Sequence, residues 1–355
     1  MSKRILVMLA SLFYYTGLVA LARWWTRRAG QRVVILNYHT AVGGNLLQHM
    51  LYLRRHYRIM SLDAAMEELY SGRKDPEYKN DRRVPLVITF DDGYVDNFTY
   101  AAQVARDYCI PFTIYLIPGY IESGKRFWWL EGASMSRRAR ASEVTLDKHT
   151  FQLDQAGARG ELAQFIDDRA RFATSVVERE TFLTTASEQL DLSPVPDEHD
   201  RDWDLLSLNW EQAQEMDKGG WICFGAHTMH HPILSYITDP TEMRYEIAEC
   251  RKVLERKLGH PIRSFAYPVG QAQHIGDPVV QAVKEAGYDW AVTTTYGFNT
   301  PKSDPYRLSR IEADIDQHWL VVAAEAAGLW GFIARLRWMP FIRNNFTNAR
   351  RKKGK

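Results

Sequence analysis

The sequence predicts an α/β fold organised on parallel strands, open or closed into a barrel. Three observations carry this. Short apolar runs rich in β-branched and aromatic residues recur at 33–36, 84–90, 112–116, 221–224, 264–267 and 290–294. They are too short for helices and too uniformly apolar for strands wetted on one face. Stretches of helical period lie between most of them, which is the rhythm of parallel strands joined by crossover helices. One charged stretch, 124–205, breaks that rhythm and offers no strand of the same kind, so it reads as a helical insertion covering or flanking a site.

Taken in order, residues 5–22 are an uncharged apolar run of 18, at the lower edge of the ~17–25 needed to cross a bilayer. A cleaved signal peptide draws on Lys3-Arg4 and on Ala20-Leu21-Ala22 as a cleavage box. A buried helix of the domain is the plain alternative. A membrane anchor or surface helix fits best, because Tyr14, Tyr15, Trp24 and Trp25 suit an interface and Arg23, Arg27 and Arg28 resist translocation. The first strand then ends at Asn37-Tyr38-His39. Helices follow at 46–57 and from Ser61, a capping serine, to Tyr70. A polar loop fills 71–83 before the strand at 84–90. Helix 100–108 leads to the strand at 112–116. After the insertion come helix 210–218, strand 221–224, helix 241–258, strand 264–267, helix 278–286 and strand 290–294. From 319 to 342 aromatic and basic residues interleave (Trp330, Phe332, Arg335, Arg337, Trp338, Phe341), as in a packed terminal helix or one lying in a membrane interface. The expected division is a membrane-associated segment 1–32, a catalytic domain 33–315 and an amphipathic basic segment 316–355.

Composition is that of a folded globular chain, 46% hydrophobic and 25% charged. A net charge of +2 gives no global case for a nucleic-acid partner. The cations instead gather at the two ends, with Arg350-Arg351-Lys352-Lys353 closing the chain, which points to an anionic membrane surface. Cys109, Cys223 and Cys250 form no CxxC pair, so neither a disulfide framework nor thiolate zinc ligation is expected.

Chemistry concentrates in two places. Asp91-Asp92-Gly93 follows the strand 84–90, and His227 with His231 follows the strand 221–224. In parallel α/β folds ligand sites form beyond the carboxyl ends of the strands, so these side chains are delivered to one rim. One carboxylate and two imidazoles make a three-ligand metal site with an open position for water, and the second carboxylate is then free to act as a base. Histidines at i and i+4 share a face if their turn is helical. Gly93 removes bulk where a substrate must approach. Separately, an Asp-Asp-Gly is most often a turn and a His-x3-His a solvated helix face. Their shared position after apolar strands is what sets them apart.

Thr89-Phe90-Asp91-Asp92-Gly93-Tyr94 and His227-Thr228-Met229-His230-His231-Pro232 resemble the first two signature motifs of the polysaccharide deacetylases, carbohydrate esterase family 4. Phe265-Ala266-Tyr267-Pro268-Val269-Gly270 resembles the third motif, and Ile35-Leu36-Asn37-Tyr38-His39 the opening segment, of the exopolysaccharide-biosynthesis branch. The likeness covers about 33–312 and is weakest in the insertion. It implies a distorted (β/α)7-type barrel holding one divalent metal, zinc first, with cobalt, manganese or nickel as alternatives. Carried over by position, Asp92, His227 and His231 are the ligands and Asp91 the general base. Thr228 braces the histidine turn, and a backbone N–H near Tyr267 meets the oxyanion. Tyr94, Tyr267 and Pro268 are the expected substrate contacts. The chain departs from the pattern at the general acid, for which His39 and His318 are the candidates. Arg263 is the candidate to orient Asp91, Asp289 the candidate fourth-motif carboxylate, and Val269 stands where a tyrosine is frequent.

These readings lead to a metal-dependent N-deacetylase acting on an N-acetylated glycan of the bacterial envelope or on its lipid-linked precursor. The expected location is the inner membrane, anchored or peripheral, with periplasmic export or secretion as the alternative. A deformylase or O-acetyl esterase on a lipid-linked sugar keeps the site and changes the bond. A non-catalytic carbohydrate-binding subunit on a relic barrel is the reading from another class.

Overall fold

The structure is a computed structural model that describes residues 3–193 and 205–329; the sequence-predicted amphipathic stretch from Trp330 onward lies outside them. The strands are β1 (Val34–Tyr38), β2 (Arg58–Ile59), β3 (Pro85–Phe90), β4 (Phe112–Leu116), β5 (Glu143–Leu146), β6 (His149–Gln152), β7 (Ile222–Ala226), β8 (Ser264–Ala266), β9 (Trp290–Val292) and β10 (Ile311–Glu312). All but β5 and β6 form one parallel sheet in the order β10-β1-β3-β4-β7-β8-β9, with β2 added at the start of β3. Segment 308–313 joins the two edges of this curled sheet. Leu308 pairs with Val292, while Ile311 pairs with Leu36 and the Ala313 N–H bonds to the Asn37 carbonyl. Seven strands therefore run round a distorted barrel, as the family pattern implied. Every residue of β1 and β4 is buried, which explains why these strands carry no polar alternation.

The helices are α1 (Lys3–Tyr15), α2 (Leu18–Arg28), α3 (Leu46–His56), α4 (Leu62–Ser71), α5 (Ala102–Tyr108), α6 (Pro118–Ser123), α7 (Trp128–Arg138), α8 (Ala158–Arg171), α9 (Val176–Gln189), α10 (Trp210–Lys218), α11 (Pro240–Leu258), α12 (Asp277–Glu285) and α13 (Trp319–Ala326). Their starts are written in side chains. The Ser61 hydroxyl caps α4, Asn209 and Gln212 form a reciprocal capping box on α10, and Asp239 caps α11 with proline at its first position.

The insertion holds α7, the antiparallel β5–β6 hairpin, α8 and α9. Its apolar side chains, among them Leu162, Ile166, Ala186 and Leu190, form a cluster separate from the barrel core that also takes in Tyr94, Ile117 and Tyr120 of the barrel rim. At the N-terminus α1 and α2 are bent by 68°, at a break containing Gly17 with φ 81°. Among the described residues no single helix is long and apolar enough to cross a membrane. One face of the pair packs on the barrel: Ala10 is buried with Leu320 and Val321 of α13, and Tyr14 sets its edge on Trp319 at 5.0 Å.

Candidate active site

Asp91 and Asp92 follow β3 directly, and His227 follows β7 directly. The register between β3, β4 and β7 therefore carries them to one rim. The His227 N–H bonds to the Leu116 carbonyl at the end of β4, and the Asp91 N–H to the Tyr38 carbonyl at the end of β1. Nε2 of His227 and Nε2 of His231 lie 3.5 Å and 3.6 Å from the same oxygen, Oδ1 of Asp92. These separations are long for hydrogen bonds. They match the edge of a tetrahedron, since ligands about 2.1 Å from an ion sit about 3.4 Å apart. All three side chains are buried, and their ligand atoms lie within 4.8 Å of one another.

The donor set also has the right protonation. Nδ1 of His227 is 2.7 Å from the Ala266 carbonyl. A carbonyl can only accept, so Nδ1 carries the proton and Nε2 presents its lone pair. Burial first, then the neighbouring His227 and Arg179, push His231 well below the usual imidazole range, so it stays neutral. Its own Nδ1 is buried without a partner among the described residues. Burial raises Asp92, against the lowering pull of His39 and His227; a cation between these groups would reverse that cost. The residues present fit one divalent ion.

The turn that brings the histidines together is not a helix. Thr228 and His231 adopt φ of 66° and 56°, in the left-handed region, and so do Asp92 at 74° and Val269 at 61°. Left-handed backbone costs a non-glycine residue about 1–3 kcal/mol, and here four such residues, two of them β-branched, lie in or beside one pocket. The Thr228 hydroxyl donates to the His227 carbonyl and accepts from the His231 N–H at 2.9 Å. Glu246 of α11, buried, accepts from the His230 N–H and pairs with its Nδ1 at 2.7 Å. His230 is thus a structural member of the turn. Gly93, also left-handed, is buried, and a Cβ there would meet Leu116 Cδ2 at 2.6 Å. Backbone conformation and packing require that glycine, which corrects the expectation that it clears space for substrate.

Asp91 is held by Arg310 and not by Arg263. The guanidinium of Arg310 grips both carboxylate oxygens at 2.7 Å and also donates to Asn37 Oδ1, Thr89 Oγ1 and the Thr293 carbonyl. Both partners are buried. Burial alone would raise the Asp91 carboxyl; Arg310 above all, then His227, hold it below the usual carboxylate range. Arg263 and Asp289 immediately precede β8 and β9 and pair with each other at 2.6 Å, with Arg263 also reaching Glu67. The amino ends of parallel strands open on the side of the barrel opposite the site, so neither residue reaches it.

His39, after β1, lines the pocket with Asp91, Asp92, Tyr94, His227, His231 and Tyr267. His318 does not: it caps α13 through Nδ1 and lies against Trp319. Pro268 forms the turn after Tyr267 and does not line the pocket. The Tyr267 N–H is used by the Val292 carbonyl; the N–H of its neighbour Val269, on a pocket-lining residue, makes no hydrogen bond among the described residues. The insertion flanks the pocket and contributes three side chains that were not among the candidates. Trp128, Trp129 and Arg171 complete a pocket of about 310 Å³. Trp129 Nε1 donates to Tyr94 Oη at 2.9 Å and its ring lies 4.6 Å from that of His231, while Trp128 Nε1 donates to the His231 carbonyl. A Phe-Trp-Trp run inside an otherwise charged stretch was the available signal.

Comparison with known proteins agrees with the motifs. The family model described as "Polysaccharide deacetylase" matches residues 78–191 and 181–291. YxkH of Bacillus subtilis, whose own assignment to that family is provisional, is 21% identical over 297 residues, covering 81% of this chain and 74% of that one. Among solved structures, IcaB from Ammonifex degensii superposes with a TM-score of 0.54 at 19% identity over 84% of this chain and 98% of its own. The Streptococcus pyogenes deacetylase PplD, in complex with acetate, gives 0.53 at 16% identity over 84% and 99%. At these identities the structural likeness speaks for the fold.

Proposed function

The chain belongs to the polysaccharide deacetylase family, and on that premise we propose that it is a metal-dependent hydrolase removing N-acetyl groups from amino sugars of an envelope polysaccharide or a lipid-linked saccharide. The observation that carries this reading is the convergence of Asp92, His227 and His231 on one point, beside a second carboxylate that lies outside the set.

Asp92, His227 and His231 would hold one divalent cation, zinc first, which supplies polarisation of the acetyl carbonyl and acidification of water. Asp91 takes the proton from the attacking water. Its low proton affinity is a cost in driving force, and what Arg310 gives in return is a carboxylate that stays ionised and fixed in direction. The N–H of Val269 is the donor placed to meet the oxyanion. The departing amine needs a proton, because an amide anion does not leave at neutral pH; His39, on the rim of the same pocket, is the histidine in position to give it. Trp129 and Tyr94 form the wall against which the sugar ring rests, and the small volume suits one residue of a longer chain.

The test is direct. Metal-loaded protein incubated with N-acetylglucosamine oligomers and with lipid-linked N-acetylated sugars should release acetate and new amines in equal amounts, and chelation should abolish both. Formate, or acetate with a free hydroxyl in place of an amine, would move the assignment to a deformylase or an esterase. Full biological function without metal would leave only a carbohydrate-binding role.

A further inference from the structure

The outward face of α1 and α2 has no part in the chemistry above. Ile5, Met8, Leu12 and Tyr15 on α1, and Leu18, Leu21 and Trp25 on α2, are all exposed. Within each helix they follow one another at steps of three and four, so each carries an apolar stripe, one ending at Tyr15 and the other starting at Leu18. The opposite face is occupied: Ala10 is buried against α13, Val19 belongs to the barrel core, and Arg23 bonds to the Tyr52 hydroxyl at 2.6 Å. No charged residue falls between Arg4 and Arg23, whereas a water-facing surface carries charge at roughly 25–35% of positions. A contiguous apolar face of this kind marks an interaction surface.

Charge identifies what covers it. The chain has no acidic residue before Asp63. Lys3 and Arg4 are exposed at one end of the stripe, Arg27 and Arg28 at the other, with Arg28 over the ring of Trp24 at 4.5 Å. Beside the carboxyl end of α2 a cavity of about 320 Å³ is lined by Arg27, Arg32, Lys74, Arg82 and Arg83. Its acid, Glu68, is paired with Arg58, and Arg83 with Asp81. Arg27, Arg32, Lys74 and Arg82 have no acidic partner among the described residues.

We propose that α1 and α2 dock this domain on the surface of an anionic phospholipid bilayer, lying in the interface and not crossing it. The stripe enters the acyl boundary, the tryptophans sit at headgroup level, and the flanking cations and the cationic cavity meet lipid phosphates. The bend and the packed inner face make the pair part of the catalytic domain, so the whole barrel is held at the membrane. Lys3 pairs with Asp316, just beyond the carboxyl end of β10. α1 thus starts near the carboxyl ends of the strands, while the cationic cavity lies beside Val33 and Pro85 at their amino ends, so the barrel lies with its side to the bilayer.

The test uses the full-length protein sedimented with vesicles of phosphatidylcholine alone or with one-third phosphatidylglycerol. Binding should require phosphatidylglycerol and weaken with salt. Leu12→Glu with Leu21→Glu, at exposed positions, should cut the apparent affinity at least about tenfold, and Arg27→Gln with Arg28→Gln by about fivefold per charge. Unchanged melting temperature and metal content in these variants separate lost docking from lost folding, and the readout does not depend on hydrolysis. Failure of the wild-type chain to pellet with anionic vesicles overturns the proposal, whether the stripe proves to pair two copies, to bind another protein or to be covered by residues 330–355.

Discussion

The pocket is built from two kinds of material. Its floor is the barrel rim, where Asp91, Asp92, His227 and His231 are buried and fixed by strand ends, backbone bonds and left-handed residues. Its wall is the insertion, whose apolar cluster reaches the rim through Tyr94, Ile117 and Tyr120 and which adds polar contacts from Trp128 to the His231 carbonyl, Arg179 to the His230 carbonyl and Trp129 to Tyr94. On the proposed function buried strain at the floor suits the chemistry, because a metal and a base must be held still. A wall whose apolar cluster is separate from the barrel core can vary its face with little disturbance of that geometry. On the proposed function the floor carries catalysis and the wall recognition, and mutations should separate the two.

The largest effects belong to the floor. Asp92→Ala or His227→Ala should remove stoichiometric metal, measured by elemental analysis, and with it all detectable turnover. Asp91→Asn should keep close to one metal per chain yet lower kcat by about 10²–10⁴, the range of a lost general base. A variant that loses its metal along with its activity would show that Asp91 belongs to the ligand set, and the division of the two aspartates would be wrong.

How far these residues could be read in advance follows from their backbone. β1, β3, β4 and β7 were visible because strands buried on both faces leave short apolar runs, and Asp91-Asp92 stood out by following one directly. β2 and β10 have two residues each, too few for any periodicity to appear. Arg310 went unread for that reason: it precedes β10, and nothing local distinguishes an arginine that bonds across the barrel interior from one on the surface. The left-handed turn at Thr228 and His231 was also hidden, since a β-branched residue argues against that conformation and only the assembled site accounts for it. Trp128 and Trp129 lay where strand rhythm ends, so no rule connected them to the rim.

Arg310→Met probes how the floor is held together. Removing one partner of a buried, bidentate pair leaves an unpaired carboxylate and should cost about 3–5 kcal/mol, read from denaturant midpoints. The pH dependence has a definite sign. With Arg310 present, the folded-state pKa of Asp91 lies below its unfolded value of about 3.9, so the pair stabilises the fold above that pH and loses its contribution as pH falls through the folded value. Without Arg310 burial dominates, the Asp91 pKa rises, and the acid limb of kcat/KM should move to higher pH. An acid limb at the same pH in both proteins would mean that another group sets it.

Trp129→Ala tests the wall and should have the smallest effect. The ring lies beside His231 and its Nε1 donates to Tyr94, but it supplies no metal ligand and no proton. Loss of an aromatic face against a sugar is worth about 1–1.5 kcal/mol, so KM for a glycan substrate should rise about tenfold. kcat and metal content should change by less than about threefold, because the floor is braced independently by Thr228, Glu246 and the Ala266 carbonyl. A small acetamide lacking the rest of the glycan should feel the mutation least. If kcat falls as far as it does in Asp91→Asn, the wall positions the reacting groups as well as the sugar, and the separation between recognition and chemistry fails at its nearest contact.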